Sequence, residues 1–199
     1  MSDQTTLTWI DAGPVAAADE THRLIGRCLA GEQAAYDALY DAYSGVIYRL
    51  AYSLLQQQQD AEEVLQDSFE YAFRRLDQFD PRKSAFKTWL YRIAVSRCHN
   101  KRRRKWLPSL SLQQFIGQEP KDPAAPLPDE RAVVNERQRA VWDAVQGLSP
   151  KLREVAILRY YAGLQYGEIG EVLSIPAKTA ESRMRLAHKA LREGLSDLL

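Results

Sequence analysis

The positive charges of this sequence are concentrated in one short stretch that also holds a cluster of aromatic residues. Residues 84–105 read SAFKTWLYRIAVSRCHNKRRRK, and residues 82–105 contain ten Lys or Arg residues and no acidic one. Cations contact the phosphates of a nucleic acid, and aromatic rings stack on its bases at about 1–3 kcal/mol per base. The end of a helix also favours cations, but this run exceeds that need. The stretch therefore predicts a surface that binds single-stranded or partly opened nucleic acid.

Helical periodicity separates the residues of this stretch that pack inside from those that could meet a ligand. A repeat of about 3.6 residues places five residues on one inward face: Phe86, Trp89, Leu90, Ile93 and Ala94. Lys87 and Tyr91 lie one turn apart on another side, where we expect them to be free to contact a ligand. The inward face is expected to end at Ala94, and the cations that follow are Arg97, Lys101, Arg102, Arg103, Arg104 and Lys105.

The segment before the basic stretch is acidic. Residues 60–80 contain seven acidic and two basic residues, so the formal net charge of +1 conceals two oppositely charged surfaces. Such segregation suggests two different partners. A helix is expected from Asp60 as its N-cap, with Leu65, Phe69, Ala72, Phe73 and Leu76 on its buried face and Glu63, Asp67, Glu70 and Arg74 opposite. The acidic face could serve solubility alone, or it could dock on a basic partner helix.

Enzymatic chemistry finds little support in the sequence. Asp60, Glu63 and Asp67 share a helix face, but no His residue or Gly-rich phosphate loop accompanies them as a catalytic metal site would require. Cys28 and Cys98 are far apart and form no disulfide framework, and no Cys/His spacing resembles a zinc site. We therefore expect a protein that is not an enzyme and that has no catalytic residue, metal or cofactor.

The C-terminal segment has the pattern of a helix-turn-helix. A short helix is expected from about Tyr166, a turn at residues 174–176 and a longer helix from Ala177, with Gly170 letting the two helices cross closely. The second helix of this motif enters the major groove of DNA. At about 100° per residue, Ala180, Met184, Ala187 and Leu191 share one face and Lys178, Ser182, Arg185 and Lys189 lie opposite. The segment predicts contacts with DNA phosphates and base edges; a solvated helix of a small bundle is the alternative.

Breaker residues divide the chain into two parts. Helical periodicity runs from about Thr21 to Lys105 and resumes near Asp129, whereas five prolines lie between positions 108 and 128. No alternating strand pattern of useful length occurs. The sequence predicts an all-α protein of two small helical domains joined by a Pro-rich linker. The expected boundaries are a mobile tail at 1–20, a first domain at 21–105, a linker at 106–128 and a second domain at 129–199.

Composition fits a folded protein that stays in the cytoplasm. Hydrophobic residues make up 45% of the chain and charged residues 27%, as in ordinary globular proteins. No apolar run approaches the roughly 18 residues that cross a bilayer, and the N-terminus lacks the basic start and apolar core of a secretory signal. We expect a cytoplasmic location and no membrane insertion.

Two segments resemble bacterial sigma factors of the extracytoplasmic-function group of the sigma-70 family. Residues 60–104, which include the string FKTWLYRIA, resemble region 2 of these proteins, and residues 148–193 resemble region 4. The resemblance implies a subunit that binds core RNA polymerase, through the beta-prime clamp helices and the beta flap, and directs it to promoter DNA. It also implies an anti-sigma factor as a further candidate partner.

The resemblance also implies roles for individual residues. Polymerase docking would use Asp60, Glu63, Asp67 and Glu70. The opened −10 element, with a base flipped into a protein pocket, would be bound by Gln78, Arg82, Lys83, Ser84, Lys87, Tyr91, Arg97, Lys101, Arg102, Arg103 and Arg104. The −35 duplex would be read by Lys178, Thr179, Ser182, Arg185 and Lys189.

Several residues depart from the family pattern. Ser96 and Asn100 stand where the family often has Asn and Asp, and Ala180 replaces a larger aliphatic residue. Ser174 occupies a turn position that Gly usually holds. Glu181 stands where a basic residue is common, which suggests an altered −35 preference.

Three other interpretations stay open at this level. A one-component helix-turn-helix regulator that never binds polymerase would explain the C-terminal segment and leave the acidic helix and basic run unexplained. A nucleic-acid enzyme would need a catalytic constellation that the residues do not form. A sigma-like protein without promoter activity would be separated from an active one by transcription in vitro.

Overall fold

The N-terminal half is a helical bundle. In the computed structural model, which describes residues 18–106 and 136–195, this half contains α1 (Ala18–Leu29), α2 (Gln33–Leu55), α3 (Gln58–Arg74), a short 3-10 turn (Leu76–Gln78) and α4 (Phe86–Trp106). The first helix therefore begins at Ala18, within the predicted tail of residues 1–20. Residues 1–17 and the predicted Pro-rich linker, apart from the last residue of α4, lie outside the described residues.

Backbone conformation at two residues accounts for the turns around α2. Gly31 has a φ of 87°, which glycine adopts without the steric cost of a side chain, and the chain reverses there between α1 and α2. Gln56 has a φ of 58° and ends α2, with its N–H donating to the Tyr52 carbonyl. The next helix begins at Gln58 with Gln57 as N-cap. The predicted N-cap at Asp60 is therefore wrong; Asp60 lies in the first turn, where a carboxylate still favours the positive end of the helix dipole.

The core of this half lies where α2, α3 and α4 meet. The predicted inward face of α4 is confirmed, since Phe86, Trp89, Leu90, Ile93 and Ala94 are all buried. The expectation that this face ends at Ala94 is wrong, because Val95 and Cys98 are also fully buried. The core therefore continues beneath the first part of the basic run and holds that part of the helix in place.

The C-terminal half contains α5 (Glu136–Gly147), α6 (Pro150–Tyr160), α7 (Tyr166–Leu173) and α8 (Ala177–Gly194). Ser149 is the N-cap of α6, and Pro150 occupies its first position, where the missing N–H has no helical partner to lose. At the start of α7, the Gln165 N–H donates to the Glu168 carboxylate at 2.7 Å. Buried residues of α6, α7 and α8 pack together in this half, among them Val155, Leu158, Ile169, Ala180 and Met184.

The described residues form helices and turns and no strand, so the predicted all-α class is confirmed. None of the described helices is both long and apolar enough to cross a membrane. The two halves also contact each other, because α7 packs against α4 and α6 packs against α2. This contact decides which of the predicted site residues are accessible.

Candidate nucleic-acid interface

The helix-turn-helix forms as predicted, with a very close approach at Gly170. A Cβ atom at this position would lie 2.7 Å from the carbonyl oxygen of Ile175 and 3.3 Å from the backbone nitrogen of Ala177. Only glycine allows the turn to pass so near α7. Ser174 ends α7 with a φ of 54°, a left-handed conformation that favours glycine. A serine therefore adopts here the conformation for which a glycine is expected.

The outer face of α8 carries the cations that the sequence assigned to duplex binding. Ala180, Met184 and Ala187 are buried against the rest of the half, which confirms most of the predicted packing face. Lys178, Arg185 and Lys189 are exposed, and Thr179 and Ser182 are half-buried beside them. Lys189 Nζ lies 3.9 Å from the Glu193 carboxylate, one turn further along. The remaining cations face solvent on a single side of the helix.

The basic run at the end of α4 is divided into two parts. Arg103 and Arg104 are exposed. Lys101 is only 20% exposed and forms ion pairs with Asp60, at 3.5 Å, and with Glu63. The Glu63 contact, above all, raises the pKa of Lys101, so this ammonium stays charged. The side chain of Lys105 lies outside the described residues.

Arg102 reaches across to the C-terminal half. Its two terminal nitrogens donate to the Glu154 carboxylate at 2.8 Å and to the Leu54 carbonyl at 2.7 Å. His99 Nε2 lies 2.9 Å from the same Glu154 oxygen. Burial alone would raise the pKa of Glu154, but the contacts with His99 and Arg102 outweigh it and hold that pKa below its ordinary value. Glu154 is therefore a buried carboxylate at the junction of the two halves.

The loop before α4 presents its cations to solvent. Arg82 makes two hydrogen bonds to the carboxylate of Asp80, at 3.1 and 3.2 Å, and its side chain is 88% exposed. These bonds lower the pKa of Asp80 and raise that of Arg82. Lys83 is also exposed, 3.9 Å from Asp80, and Ser84 is half-buried. Gln78, at the end of the 3-10 turn, accepts a hydrogen bond from Arg75 at 3.2 Å.

The expectation that Lys87 and Tyr91 are free to meet a ligand is wrong for this arrangement. Tyr91 is fully buried, and its hydroxyl has no hydrogen-bond partner among the described residues. Lys87 is half-buried and donates to the Ala162 carbonyl at 3.3 Å. Burial lowers the pKa of Lys87. The sequence pattern placed both residues off the core of their own half, but the C-terminal half packs against this side of α4.

The acidic face of α3 is only partly available to a partner. Asp67 and Glu70 are exposed, and Glu70 pairs with Arg74 one turn away. Glu63 is exposed but holds Lys101, and Asp60 is 8% exposed and faces the same lysine. Asp60 therefore belongs to an internal ion-pair cluster, because its position in the first turn of α3 lies next to α4.

Sequence reasoning missed three contributors to these surfaces. Glu154 lies within the run EVAIL, and an acid among apolar helix residues is a signal that a buried carboxylate needs a partner. His99 is one of the two side chains that contact this carboxylate. Tyr71 is 41% exposed and lies under the guanidinium of Arg97, with 4.8 Å between the Arg97 Cζ atom and the ring centroid. This cation–π contact links α3 to the basic part of α4.

A metal site is not formed by the described residues, since no three His, Cys, Asp or Glu side chains among them cluster suitably. Cys28 and Cys98 are both buried free thiols. Burial raises the pKa of each, and that of Cys98 reaches about 12, so both stay protonated and inert. The described residues instead present exposed cations on α4 and α8 and exposed carboxylates on α3, which suit binding to nucleic acid and to protein.

Two family models and several curated proteins match the chain. The model of Sigma-70 region 2 matches residues 39–107, and that of Sigma-70, region 4 matches residues 138–191. The ECF RNA polymerase sigma factor SigW of Bacillus subtilis is 32% identical over 174 residues, which cover 84% of this chain and 92% of that protein. The RNA polymerase sigma-H factor of Pseudomonas aeruginosa is 32% identical over 190 residues, covering 91% and 96% of the two chains.

Solved structures share the fold. CnrH in complex with the cytosolic domain of CnrY superposes with a TM-score of 0.64 at 23% identity, over 90% of this chain and 99% of that one. The sigma factor RpoE of Bartonella quintana, in complex with the anti-sigma factor NepR, gives a TM-score of 0.66 at 21% identity, over 81% and 96% of the chains.

Proposed function

The chain belongs to the extracytoplasmic-function sigma factors of the sigma-70 family, and we propose that it binds core RNA polymerase and directs it to specific promoters. The observation that carries the proposal is the joint match of regions 2 and 4, in chain order, on two helical halves that carry separate charged faces. A helix-turn-helix regulator would account for the second half alone. The chain would contribute binding and positioning and no covalent chemistry.

We propose that the two halves of the chain correspond to two domains with separate binding roles. We assign residues 21–105, together with residues 18–20 at the start of α1, to the region 2 domain, 106–128 to the linker and 129–199 to the region 4 domain, with residues 1–17 as an N-terminal tail. The region 2 match ends at residue 107 and the region 4 match begins at residue 138, which supports a division between the two halves.

Polymerase would dock on the acidic face of α3. Asp67 and Glu70 are exposed on this face and can meet a basic surface such as that of the beta-prime clamp helices. Glu63 would join them, and Asp60 would act indirectly by holding Lys101. The region 4 domain would contact the beta flap. Because CnrH is bound to CnrY and RpoE to the anti-sigma factor NepR in the similar structures, an anti-sigma factor is a candidate partner for this chain as well.

The opened −10 element would be bound by the loop before α4 and by α4 itself. Arg82, Lys83, Arg103 and Arg104 are exposed and can reach phosphates without rearrangement. Gln78 and Ser84 lie in the same loop region, and Arg97 lies beside Tyr71. Lys87, Tyr91, Lys101 and Arg102 would join only after their present contacts change.

The −35 element would be read as duplex by α8. Lys178, Arg185 and Lys189 are exposed on one side, with Thr179 and Ser182 between them and the packed face. Gly170 lets the turn and the start of α8 pass close to α7, as in the motif whose second helix enters the major groove. A single bidentate base contact would contribute about 1–3 kcal/mol of discrimination.

Run-off transcription with purified core polymerase on a randomised promoter library tests the proposal. We expect the chain to enrich templates with two separated conserved elements. A variant in which Lys178, Arg185 and Lys189 are replaced by Ala should lose the enrichment of the upstream element. If the wild-type chain enriches no template, the proposed function is wrong. A polymerase pull-down distinguishes the two candidate functions. A sigma factor should retain core polymerase, whereas a one-component regulator would bind duplex DNA but not polymerase.

A further inference from the structure

Two polar contacts bring the C-terminal half onto the side of α4 that we assign to the −10 element. Lys87 Nζ donates to the Ala162 carbonyl, just after α6, at 3.3 Å. Thr88 Oγ1 donates to the Glu168 carboxylate in α7 at 3.3 Å. Thr88 is 3% exposed, so the contact buries this part of α4. A DNA strand and the C-terminal half cannot occupy this side of α4 at the same time.

A third contact occupies a cation of the basic run. Glu154 is 6% exposed and accepts from Arg102 at 2.8 Å, while His99 Nε2 lies 2.9 Å from the same oxygen. Arg102 is anchored further by its bond to the Leu54 carbonyl. A guanidinium bonds carboxylate and phosphate oxygens in the same way, through charge-assisted hydrogen bonds. In this arrangement the Glu154 carboxylate occupies the place that a strand phosphate would take at Arg102.

We propose that the C-terminal half covers the strand-binding face of region 2 in the free protein, with Glu154 as an internal substitute for a DNA phosphate. The inference rests on the proposed function, because Arg102 and Lys87 are assigned there to the −10 strand. The partner of this interaction surface is thus another part of the same chain. Strand binding requires the Glu154–Arg102 contact to open, after which Glu154 returns to water and Arg102 is free for phosphate.

Polar groups also join the two halves. Arg49 Nε donates to the Tyr161 hydroxyl at 2.8 Å, and Gln146 donates to the Ser53 carbonyl at 3.2 Å. Contacts between domains that move are more polar than permanent ones. Tyr91 is buried near Tyr161 and Arg49, and its hydroxyl lacks a hydrogen-bond partner among the described residues. A buried hydroxyl without a partner costs free energy, so the closed contact is imperfect and opening can relieve it.

The closed contact should lower the apparent affinity for a strand in proportion to the fraction of open molecules. The apparent dissociation constant equals the intrinsic one divided by the open fraction. If about one molecule in ten is open, removal of the contact tightens strand binding about tenfold. The same removal should make the average molecule less compact.

Glu154→Gln tests the proposal against Glu171→Gln in the full-length protein without polymerase. Both variants remove one negative charge, but Glu171 is exposed on α7, and the carboxylates that accept hydrogen bonds across the junction, among the described residues, are Glu154 and Glu168. The radius of gyration is measured by small-angle X-ray scattering. Strand affinity is measured by fluorescence anisotropy with a fluorescein-labelled oligothymidine of about 12 nucleotides, within the site size of single-strand binders.

We expect Glu154→Gln to increase the radius of gyration and to bind the oligonucleotide about tenfold more tightly, whereas Glu171→Gln matches the wild type in both. Tyr161→Phe, which removes only the hydroxyl that accepts from Arg49, is a milder second variant and should shift both quantities in the same direction. It keeps the test decisive if Glu154→Gln does not fold. Unchanged compactness in the folded variants overturns the proposal, and so does a looser molecule with unchanged strand affinity.

A separate variant distinguishes this failure from failure of the proposed function. Arg103→Ala/Arg104→Ala lies outside the contact with the C-terminal half and should weaken oligonucleotide binding. If it does not, the strand-binding assignment is wrong and the competition fails with it, although the scattering result still decides whether Glu154 holds the two halves together. Run-off transcription with the wild type tests, independently of either result, whether the protein directs polymerase to promoters.

Discussion

Gly170→Ala should disrupt the helix-turn-helix, even though alanine is the better helix former. The added Cβ atom would lie 2.7 Å from the Ile175 carbonyl oxygen and 3.3 Å from the Ala177 nitrogen. Both neighbours are backbone atoms, which cannot rotate away as a flexible side chain can. The Ile175 N–H also donates to the Gly170 carbonyl at 2.9 Å. The turn must therefore move away from α7, and α8 moves with it.

The expected magnitude follows from two opposing effects. Overpacking of a tight contact costs about 1–3 kcal/mol, whereas exchange of Gly for Ala within a helix returns up to ~1 kcal/mol. We expect the C-terminal half to lose about 1–2 kcal/mol, which corresponds to a factor of roughly 5–30 in the ratio of folded to unfolded molecules. Gly167→Ala is the matched control, because it lies in the same helix and its Cβ would meet nothing within 4 Å.

Amide hydrogen exchange of peptides from residues 166–194 measures the effect within this half alone, because local opening sets the exchange rate. Gly170→Ala should exchange about 5–30 times faster than the wild type and should bind less tightly to a duplex carrying the −35 element selected from the promoter library. Gly167→Ala should exchange no faster than the wild type. If the two variants protect α7 and α8 equally, the close approach at Gly170 does not constrain the motif and the reasoning is refuted.

Three further predictions concern charge. Replacing Lys178, Arg185 and Lys189 by Ala should weaken duplex binding and reduce the slope of log affinity against log salt by about 2–3, because each lost phosphate contact contributes about 0.9; a filter-binding salt series measures this. Asp67→Lys should weaken polymerase binding in a pull-down with little change in the unfolding midpoint, because Asp67 is exposed. Acidification should loosen the contact between the two halves: against the effect of burial, the contacts with His99 and Arg102 hold the pKa of Glu154 below its ordinary value, so the stability it contributes is present above that ordinary value and lost as pH falls through the folded pKa. Scattering at decreasing pH measures this loss.

Each of these predictions has an opposing result. Duplex binding with an unchanged salt slope would mean that the three cations of α8 face away from the DNA. Normal polymerase binding by Asp67→Lys would count against α3 as the docking face. If Glu154→Gln shows the same acid-induced expansion as the wild type, another carboxylate holds the two halves together.

Elements and their buried faces could be predicted from the sequence because helical periodicity is a local property. The bounds of α7, its turn and α8 agree with the prediction, as do the buried Ala180, Met184 and Ala187. The N-cap of α3 was misplaced because Gln57 and Gln58 carry no strong start signal, whereas Asp60 resembles a cap.

The candidate site is less predictable from the sequence, because a helical repeat indicates the face that a residue occupies on its own helix and not the helices that pack against that face. Lys101 lies on the charged side of α4 and still pairs with Glu63, 38 residues earlier. Arg102 reaches Glu154, 52 residues later. Neither separation follows a helical repeat, so no local pattern could have indicated these pairs.

The sequence alone determined the helices, their apolar faces, the two charged segments and the family, since each of these depends on residue type and on spacing within a few turns. Only the tertiary structure decided which charges face solvent and which are already paired. Tyr91 shows the reason: the helical repeat places it off the inward face of α4, yet it is fully buried. Accessibility is set by which surfaces meet in space, and the packing of the C-terminal half against α4 joins residues that are distant along the chain.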